Sequence, residues 1–563
     1  MVVSSGRFWN RLGASRLQRS ICGAAAERAV EATLGARWSP PYDAVRHSRL
    51  VVIWGHNPVS TSPHFMPHLR KAQHAGCQVV VIDPRRTLTA QTADLWLPIR
   101  PGTDGVLAMG VLRLLVEAGH HDRAWLDART VGWDELRARL SDFPLASVAE
   151  RTGLEPSLIR RFAQMYGTIK PGLLKFADGI NRNFNGGQNT RAVLALPAAT
   201  GQYGTLGGGL SYSTSGYVKW DDEAVHKWHG CPRPGRAVNM NRLGEALLGE
   251  ASSPPIKSLF VFGANPATST VSSGKIRRGM LRDDLFTVVH ELFMTDTADL
   301  ADLVLPATSQ LEQADLHKAY GTNVLTWNAP AIAPLGECRS NWDVMRSLAA
   351  TMGFAEPWLR QPAEEVIEEA LAATAKGDPH FGGVSIEGLK RDGFAVLKTP
   401  EVPFADGEFP TPSGKVELFC ERLGKVGQDP LPGRFRDDTD GDGLSLVTGA
   451  SHHFVSSSFA GQAGLLKNAG PPSVEIHPDD AAARGIADGD TVRVRNARGS
   501  CTLRAVVTPN VRPGVVVSPK GRWSSNSGTD NINHLTTDVL ADFAGQASYH
   551  SSRVEVEKAS GTA

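Results

Sequence analysis

At 563 residues the chain has room for several domains and can bury large cores without covalent staples. Its 59 Lys and Arg stand against 58 Asp and Glu, and a net charge of +1 gives no electrostatic case for nucleic acid or an anionic membrane surface. Six cysteines, at 22, 77, 231, 338, 420 and 501, never fall within four residues of one another, which excludes CxxC-type zinc and ferredoxin-like cluster motifs and fits a reducing, cytoplasmic setting without disulfides. No apolar run approaches the ~20 residues that a membrane-spanning helix needs.

The first 26 residues carry four Arg and no acid, a superficial likeness to a transit peptide, yet they run without a composition break into EATLGARW and the first strand. They lack the paired arginines and apolar stretch of a twin-arginine signal. Val51 to Trp54 is too short and too rich in β-branched and aromatic residues for a helix, and reads as a buried parallel strand. It ends in Gly55-His56-Asn57-Pro58 and a cluster of hydroxyl residues, where Gly permits a sharp turn and Asn-Pro stops a helix. PHLRKAQHAGCQVVVIDPRR predicts a helix, a Gly stop, a second strand over Val79 to Ile82 and an Asp-Pro-Arg-Arg loop. TADLWLPIRPGTDGVLAMGVLRLLVEAG adds a third strand, a turn and a long helix, with Asp104 placed to cap it and its first N–H groups open to an anion. This is a βαβ series.

From FADGINRNFNGGQNTR to GQYGTLGGGLSYS the chain is Gly-rich and predicts loops close to a ligand. After Ser258 the same grammar returns: LFVFGANPATST is a second buried strand with a Gly-x-Asn-Pro end, followed by LFTVVHE and MTDTADLADLVLPATS. Ligands of open α/β sheets sit outside the carboxyl ends of the strands, so two such edges predict one large two-headed ligand or two nucleotide-like ones. Asp429 to Gly443 is a Pro/Gly/Asp-rich linker. Beyond it, TVRVRNARGSCTLRAVVTPNVRPGVVVSP alternates apolar and polar residues like a small antiparallel barrel, with HPDDAAARGIADGD as a short helix plugging one end.

The order WGHNP, VVVIDPRRT, TADLWLPIRPGTDG, FGANP, TDTADLADLVLPATSQLEQ and HPDDAAARGIADGDTVRVRNARG resembles the molybdopterin-guanine-dinucleotide oxidoreductases of the dimethyl sulfoxide reductase and formate dehydrogenase superfamily, from about residue 18 to 558. The resemblance implies an α/β fold with two doubly wound dinucleotide-binding domains and a C-terminal antiparallel β-barrel. Its bounds would be 18–225 and 226–428 for the α/β domains, 429–443 for the linker and 444–563 for the barrel. The implied cofactor is bis-molybdopterin guanine dinucleotide with molybdenum or tungsten, acting on a small-molecule substrate by two-electron oxidation or oxygen-atom transfer. By the same resemblance Gly55, Asn57, Pro58, Ser60 and Thr61 line one dinucleotide, and Asp83, Arg85, Thr103 and Asp104 lie at its guanosine end; taken alone, Asp83 would only start a turn. Gly263, Asn265 and Pro266 repeat the first loop, with Thr295, Asp296 and Thr297 after the next strand, where Asp296 could equally be a helix cap. Asn531, Asn533, Leu535 and Thr536 match the stretch where the family's barrel meets the pterins, although a polar stretch of this kind is by default a surface loop.

In that family a Cys, selenocysteine, Ser or Asp ahead of the first Gly-x-Asn-Pro loop ligates the metal, and RSICGAA places Cys22 in that slot. A soft thiolate suits the metal, whereas a lone Cys without this context is more often a buried apolar residue. Formate dehydrogenases put His directly after the ligand and Arg in the GGQN stretch; here Gly23 and Gly187 stand there, which counts against formate oxidation, and Arg182 is the alternative cation near the metal. Family members normally begin with a cysteine-rich [4Fe–4S] segment, so the expectation is a truncated or split form, with that cluster present only where the segment is, and an iron–sulfur subunit or redox carrier as partner. A non-catalytic scaffold subunit of an electron-transfer complex is the other reading. A nicotinamide dehydrogenase is disfavoured because no GxGxxG follows a strand.

Overall fold

The strand Leu50–Trp54 is apolar on both faces and all five residues are buried, as a central parallel strand requires. In the computed structural model, which describes residues 5–232, 235–250, 253–437 and 442–559, it lies in the middle of a five-stranded parallel sheet. The order is Leu95–Leu97, Gln78–Ile82, Leu50–Trp54, Gly172–Phe176 and Gly209–Ser211. The chain divides into two compact units: a larger one of residues 20–213, 268–274 and 401 onward, which holds this sheet, and a smaller one of residues up to 19, 214–267 and 275–400. Among the described residues no helix is long and apolar enough to cross a membrane.

In the larger unit the GGQNTRAVLALPAA segment, expected as loop, is the helix Gly186–Ala199, and all 14 of its residues are buried. The glycines serve packing rather than an open turn. A Cβ at Gly187 would meet the ring of Phe543 at 2.1 Å, and one at Gly105 on the neighbouring helix Asp104–Glu117 would meet Phe435 at 2.3 Å. Arg191 is buried on this helix and is satisfied by carbonyls, donating to Leu418 O at 2.7 Å and Pro430 O at 2.9 Å. Gln188 reaches Asp429 O at 2.9 Å, so the first residues of the Pro/Gly/Asp-rich stretch are laid against the helix.

The barrel is closed, in the order Leu444–Val447, Val515–Val517, Ser473–Ile476, Gly499–Val507, Thr491–Asn496 and Arg553–Lys558. Four of its pairings are antiparallel; Leu444–Val447 with Val515–Val517, and Ser473–Ile476 with Gly499–Val507, are parallel. Alternate residues Val492 and Val494 point into its core, and Ala481 and Ile486 from the segment after His477 close on the same core.

The smaller unit carries a three-stranded parallel sheet, Leu303–Pro306, Phe286–Glu291 and Ser258–Phe262, and an antiparallel one of Asp315–Lys318, Val324–Asn328 and Phe394–Val396. Ser258–Phe262 is an edge strand, so only Val261 is fully buried where a buried strand was expected. The Arg-rich start is part of this unit: helix Gly6–Leu12 buries Arg7, which donates to Glu369 Oε2 at 2.9 Å and Val225 O at 3.2 Å, and Trp9 packs on Phe260 with centroids 5.2 Å apart.

Gly187→Ala should destabilise the larger unit by about 2 kcal/mol, the usual effect of overpacking a filled core. A thermal melt checks this, and an unchanged midpoint would contradict the packing described.

Candidate cofactor and metal site

The two Gly-x-Asn-Pro loops are built by one hydrogen-bond circuit used twice. In the larger unit Gly55 turns with φ +56°, and Asn57 Oδ1 accepts from Thr89 Oγ1 at 2.8 Å, whose oxygen accepts from Val59 N at 3.4 Å. In the smaller unit Gly263 turns with φ +57°, and Asn265 Oδ1 accepts from Thr297 Oγ1 at 2.6 Å, whose oxygen accepts from Ala267 N at 3.0 Å. Pro58 and Pro266 each begin a four-residue helix, Pro58–Thr61 and Pro266–Ser269. Thr87 and Thr295 cap the following turns through Ala90 N and Ala298 N, both at 3.2 Å. Asp94 and Asp302 each accept from a strand N–H at 2.7 Å. Thr87 and Thr89 escaped the sequence reading, although the pairs RTLTA with TDTADL and ADLWLP with ADLVLP signal the duplication.

Above the first loop, and wholly within the larger unit, lies a cavity of about 370 Å³ lined by Asn57, Ser60, Arg85, Lys520, Arg522 and Asn531, among others. Its volume falls in the range of cofactor sites. Ser60 Oγ lies 3.1 Å from His452 Nδ1, while Thr61 Oγ1 turns back to Asn57 O at 3.1 Å. Arg85 is held by Glu475 of the barrel, with Nε to Oε2 at 2.7 Å, so its guanidinium is paired within the protein. Of the nine residues expected at this dinucleotide, Gly55, Pro58, Thr61, Asp83, Thr103 and Asp104 do not line this cavity. A Cβ at Gly55 would meet Ile180 N at 2.9 Å, so that turn is filled by protein backbone. Asp83 accepts from Arg85 N at 2.9 Å, Thr103 bonds Arg100 O at 2.7 Å, and Asp104 accepts from Trp54 Nε1 at 2.8 Å. The helix N-cap is Thr103, not Asp104, and the N–H of Gly105 donates to Asn189 Oδ1 at 3.0 Å rather than standing open to an anion. Burial pushes both Asp83 and Asp104 up to about 7.

The 531–536 stretch is buried rather than a surface loop. Asn533 Nδ2 donates to Thr268 O at 2.8 Å, Thr536 O accepts from Ser272 N at 3.1 Å, and the Leu535 side chain belongs to the barrel core. In the smaller unit Thr295 and Asp296 are buried beside the second loop, and Leu292, Phe293 and Met294 just before them are exposed.

The structure brings Cys22 and Arg182 together. Cys22 is an exposed residue whose sulfur faces protein on one side, where it donates to Asp178 Oδ2 at 3.0 Å; Arg182 Nη2 lies 3.7 Å from the sulfur and 3.1 Å from the same carboxylate oxygen. Asn181 and Tyr212 donate to the other oxygen, at 3.2 and 3.3 Å. Burial by surrounding protein, reinforced by Asp178 and opposed by Arg182, pushes the Cys22 thiol up to about 11. The Tyr549 ring lies between two cations, with Arg182 Cζ 5.9 Å and Lys520 Nζ 4.8 Å from its centroid. Burial, with Arg182 nearby, brings Lys520 down to about 7 and His550 to about 3. Asp178 lies one helical turn before Arg182 in the FADGINR stretch, and that spacing could have flagged it.

Three features test whether these residues fit a pterin dinucleotide and its metal. The arch from Asp178 to Gly187 leaves Asn181 Oδ1, Asn183 Oδ1 and Arg182 Nε buried without a hydrogen-bond partner. The cavity pairs cations with hydroxyl and amide groups, the chemistry that binds a pyrophosphate and ribose. Among the described residues no group of three His, Cys, Asp or Glu could hold an ion, so a metal at Cys22 would take its remaining ligands from a bound group. The residues fit.

Comparison with known proteins agrees. The model of the molybdopterin oxidoreductase family matches residues 3–351, and that of the molydopterin dinucleotide binding domain matches residues 444–553. The chain belongs to the molybdopterin oxidoreductase family, a family of enzymes. It is 38% identical over 555 residues to the probable oxidoreductase YoaE of Bacillus subtilis (strain 168), spanning 98% of this chain and 81% of that one. It is 27% identical to the assimilatory nitrate reductase catalytic subunit of the same organism, spanning 92% and 76%. Acetylene hydratase from Pelobacter acetylenicus shares the fold, with a TM-score of 0.84 at 23% identity over 99% of this chain and 84% of that one.

The raised carboxyls give a pH dependence of defined sign. A carboxyl whose folded pKa lies above its unfolded value stabilises most at acid pH, and that contribution is lost as pH rises through about 7. In the ligand-free chain Asp104→Asn should therefore raise the melting midpoint, relative to the native chain, by a few degrees more at pH 8 than at pH 5. An equal offset at both pH values would contradict a buried, protonated Asp104.

Proposed function

We propose that the chain is the catalytic subunit of a molybdenum or tungsten bis-pterin oxidoreductase that carries out two-electron oxidation or oxygen-atom transfer on a small substrate. The observation that carries this reading is the Cys22 sulfur, held by a carboxylate and an arginine and linked through the Tyr549 ring to Lys520, which lines a cavity with dinucleotide chemistry. Asn57, Ser60, Lys520, Arg522 and Asn531 would hold one dinucleotide from the larger unit, with Arg85 fixing the wall through Glu475. Gly263, Asn265, Pro266, Thr295 and Asp296 would serve the other from the smaller unit, by the likeness of their loop to the first. Cys22 would be the protein ligand to the metal, and the bound group would supply the redox chemistry.

This chain's residues orient that thiol. Ligation requires the thiolate, and the proton that Cys22 donates to Asp178 Oδ2 would have to leave when a metal binds. Arg182, 3.7 Å from the sulfur, stabilises the resulting negative charge, while Asn181 and Tyr212 keep the carboxylate aimed. The scattered cysteines supply no cluster site of their own, so electron exchange would pass to a redox carrier or an iron–sulfur partner subunit. Retention of the Cys22 cluster disfavours a purely structural role.

Oxidative release from the purified protein should yield pterin and a guanine nucleotide, about two of each per chain. A flavin or nicotinamide dinucleotide in place of pterin would contradict the proposal. Cys22→Ala should abolish turnover while most of the pterin is retained, since many hydrogen bonds hold the dinucleotides. Full turnover by that variant would make Cys22 an ordinary side chain.

A further inference from the structure

The loop that carries Cys22 has little structure of its own. Strand Arg16–Gln18 ends before it, helix Ala24–Leu34 begins after it, and that helix has no side-chain cap at Gly23. Its first N–H groups and the carbonyls ahead of Cys22 must find partners elsewhere. They find them in a segment more than five hundred residues away, in the same unit. Gln546 is fully buried; its Oε1 accepts from Ala25 N at 3.3 Å, and its Nε2 donates to Ile21 O at 3.1 Å. One amide thus grips the backbone on both sides of Cys22. Ala547 N adds a bond to Ser20 O at 3.3 Å.

The segment is shaped for this. Ala544 and Gly545 take φ of +56° and +62°, and Ala541 N closes the turn on Gln546 O at 2.9 Å. A left-handed alanine costs about 1 kcal/mol and persists only where surrounding contacts enforce it. The same segment also fixes the Arg182 arch. Asp542 accepts from Gly187 N at 2.7 Å and Gln188 N at 2.9 Å, capping the buried helix, and its own N–H reaches Phe184 O at 2.9 Å. His550 N donates to Arg182 O at 3.0 Å, and Phe184 N donates to Ser551 Oγ at 3.0 Å.

We infer that residues 540–551 form a strap that sets the geometry of the Cys22 site, and that Gln546 is the positioning residue for Cys22. The inference rests on the reading of Cys22 as the functional thiol, but its test does not require a bound metal. Cys22 is the exposed thiol of the chain, whereas Cys231 and Cys338 are partly exposed and Cys77, Cys420 and Cys501 are buried. Maleimide labelling of the ligand-free full chain, followed site by site by mass spectrometry, therefore reads the Cys22 loop against two internal controls. Gln546→Met keeps the volume and removes both bonds; Gln546→Glu keeps an acceptor for Ala25 N and removes the donor to Ile21 O.

In both variants Cys22 should label about fivefold faster, the factor carried by about 1 kcal/mol of net hydrogen bonding, with Cys231 and Cys338 unchanged. Unchanged Cys22 labelling would overturn the inference, and so would equal acceleration at all three sites, which marks general loosening. Hydrogen exchange of the native chain decides the matter should neither variant fold. The Ala25 amide has no acceptor within its helix, so it should exchange as slowly as interior helix amides if Gln546 holds it, and as fast as an unbonded amide if it does not. Loss of metal binding in Cys22→Ala together with normal labelling in the Gln546 variants would sustain the metal-ligand reading and remove only the strap.

Discussion

The larger unit depends on a helix with no exposed face. Gly186–Ala199 sits wholly inside protein, so its N-terminal amides and the Arg191 charge must be satisfied without water. Asp542 supplies the first need and the carbonyls of Leu418 and Pro430 the second. Meeting those two demands draws the segments around 418–430 and 542 onto one helix. Their arrival places the 542–551 segment against both the Arg182 arch and the Cys22 loop. The geometry at Cys22 is thus downstream of a packing constraint in the core.

The duplicated loops show a second economy. An Asn oxygen, a Thr hydroxyl and a backbone N–H two residues on from the Asn form a closed circuit in each unit, and each is preceded by a Gly turn at positive φ. Hydrogen bonds made within the loop hold its conformation without help from a ligand, and pre-organisation of that kind lowers the ordering cost of binding.

Much of this was legible in the sequence because its signals are local. The apolar runs at Val51 and Val79, the Gly-x-Asn-Pro ends and the alternation in the barrel strands each report a short-range rule, and all gave the right element type. The family resemblance added Cys22 and Arg182. What stayed hidden depends on partners distant in sequence. GGQNTR looks like a loop because Gly favours turns, and the Asn181 backbone against Gly186 and the Phe543 ring against Gly187 explain why no side chain fits there. Asp104 looks like a cap until Trp54 is seen to claim its oxygen. Asp178, Lys520, Tyr549 and Gln546 carry no motif of their own and acquire meaning only through partners far away in sequence: Asp178 on the Cys22 sulfur, Gln546 on the backbone either side of it, and Tyr549 against Arg182 and Lys520.

On the proposed reading the Cys22 sulfur, aimed by Asp178 and Arg182, would be a side-chain ligand to the family's metal. X-ray absorption at the metal edge, on the cofactor-loaded native chain and on Cys22→Ser, tests it most directly. One metal–sulfur contact should be lost in the variant and replaced by a lighter atom. An identical sulfur coordination number in the two proteins would show that the metal does not touch Cys22.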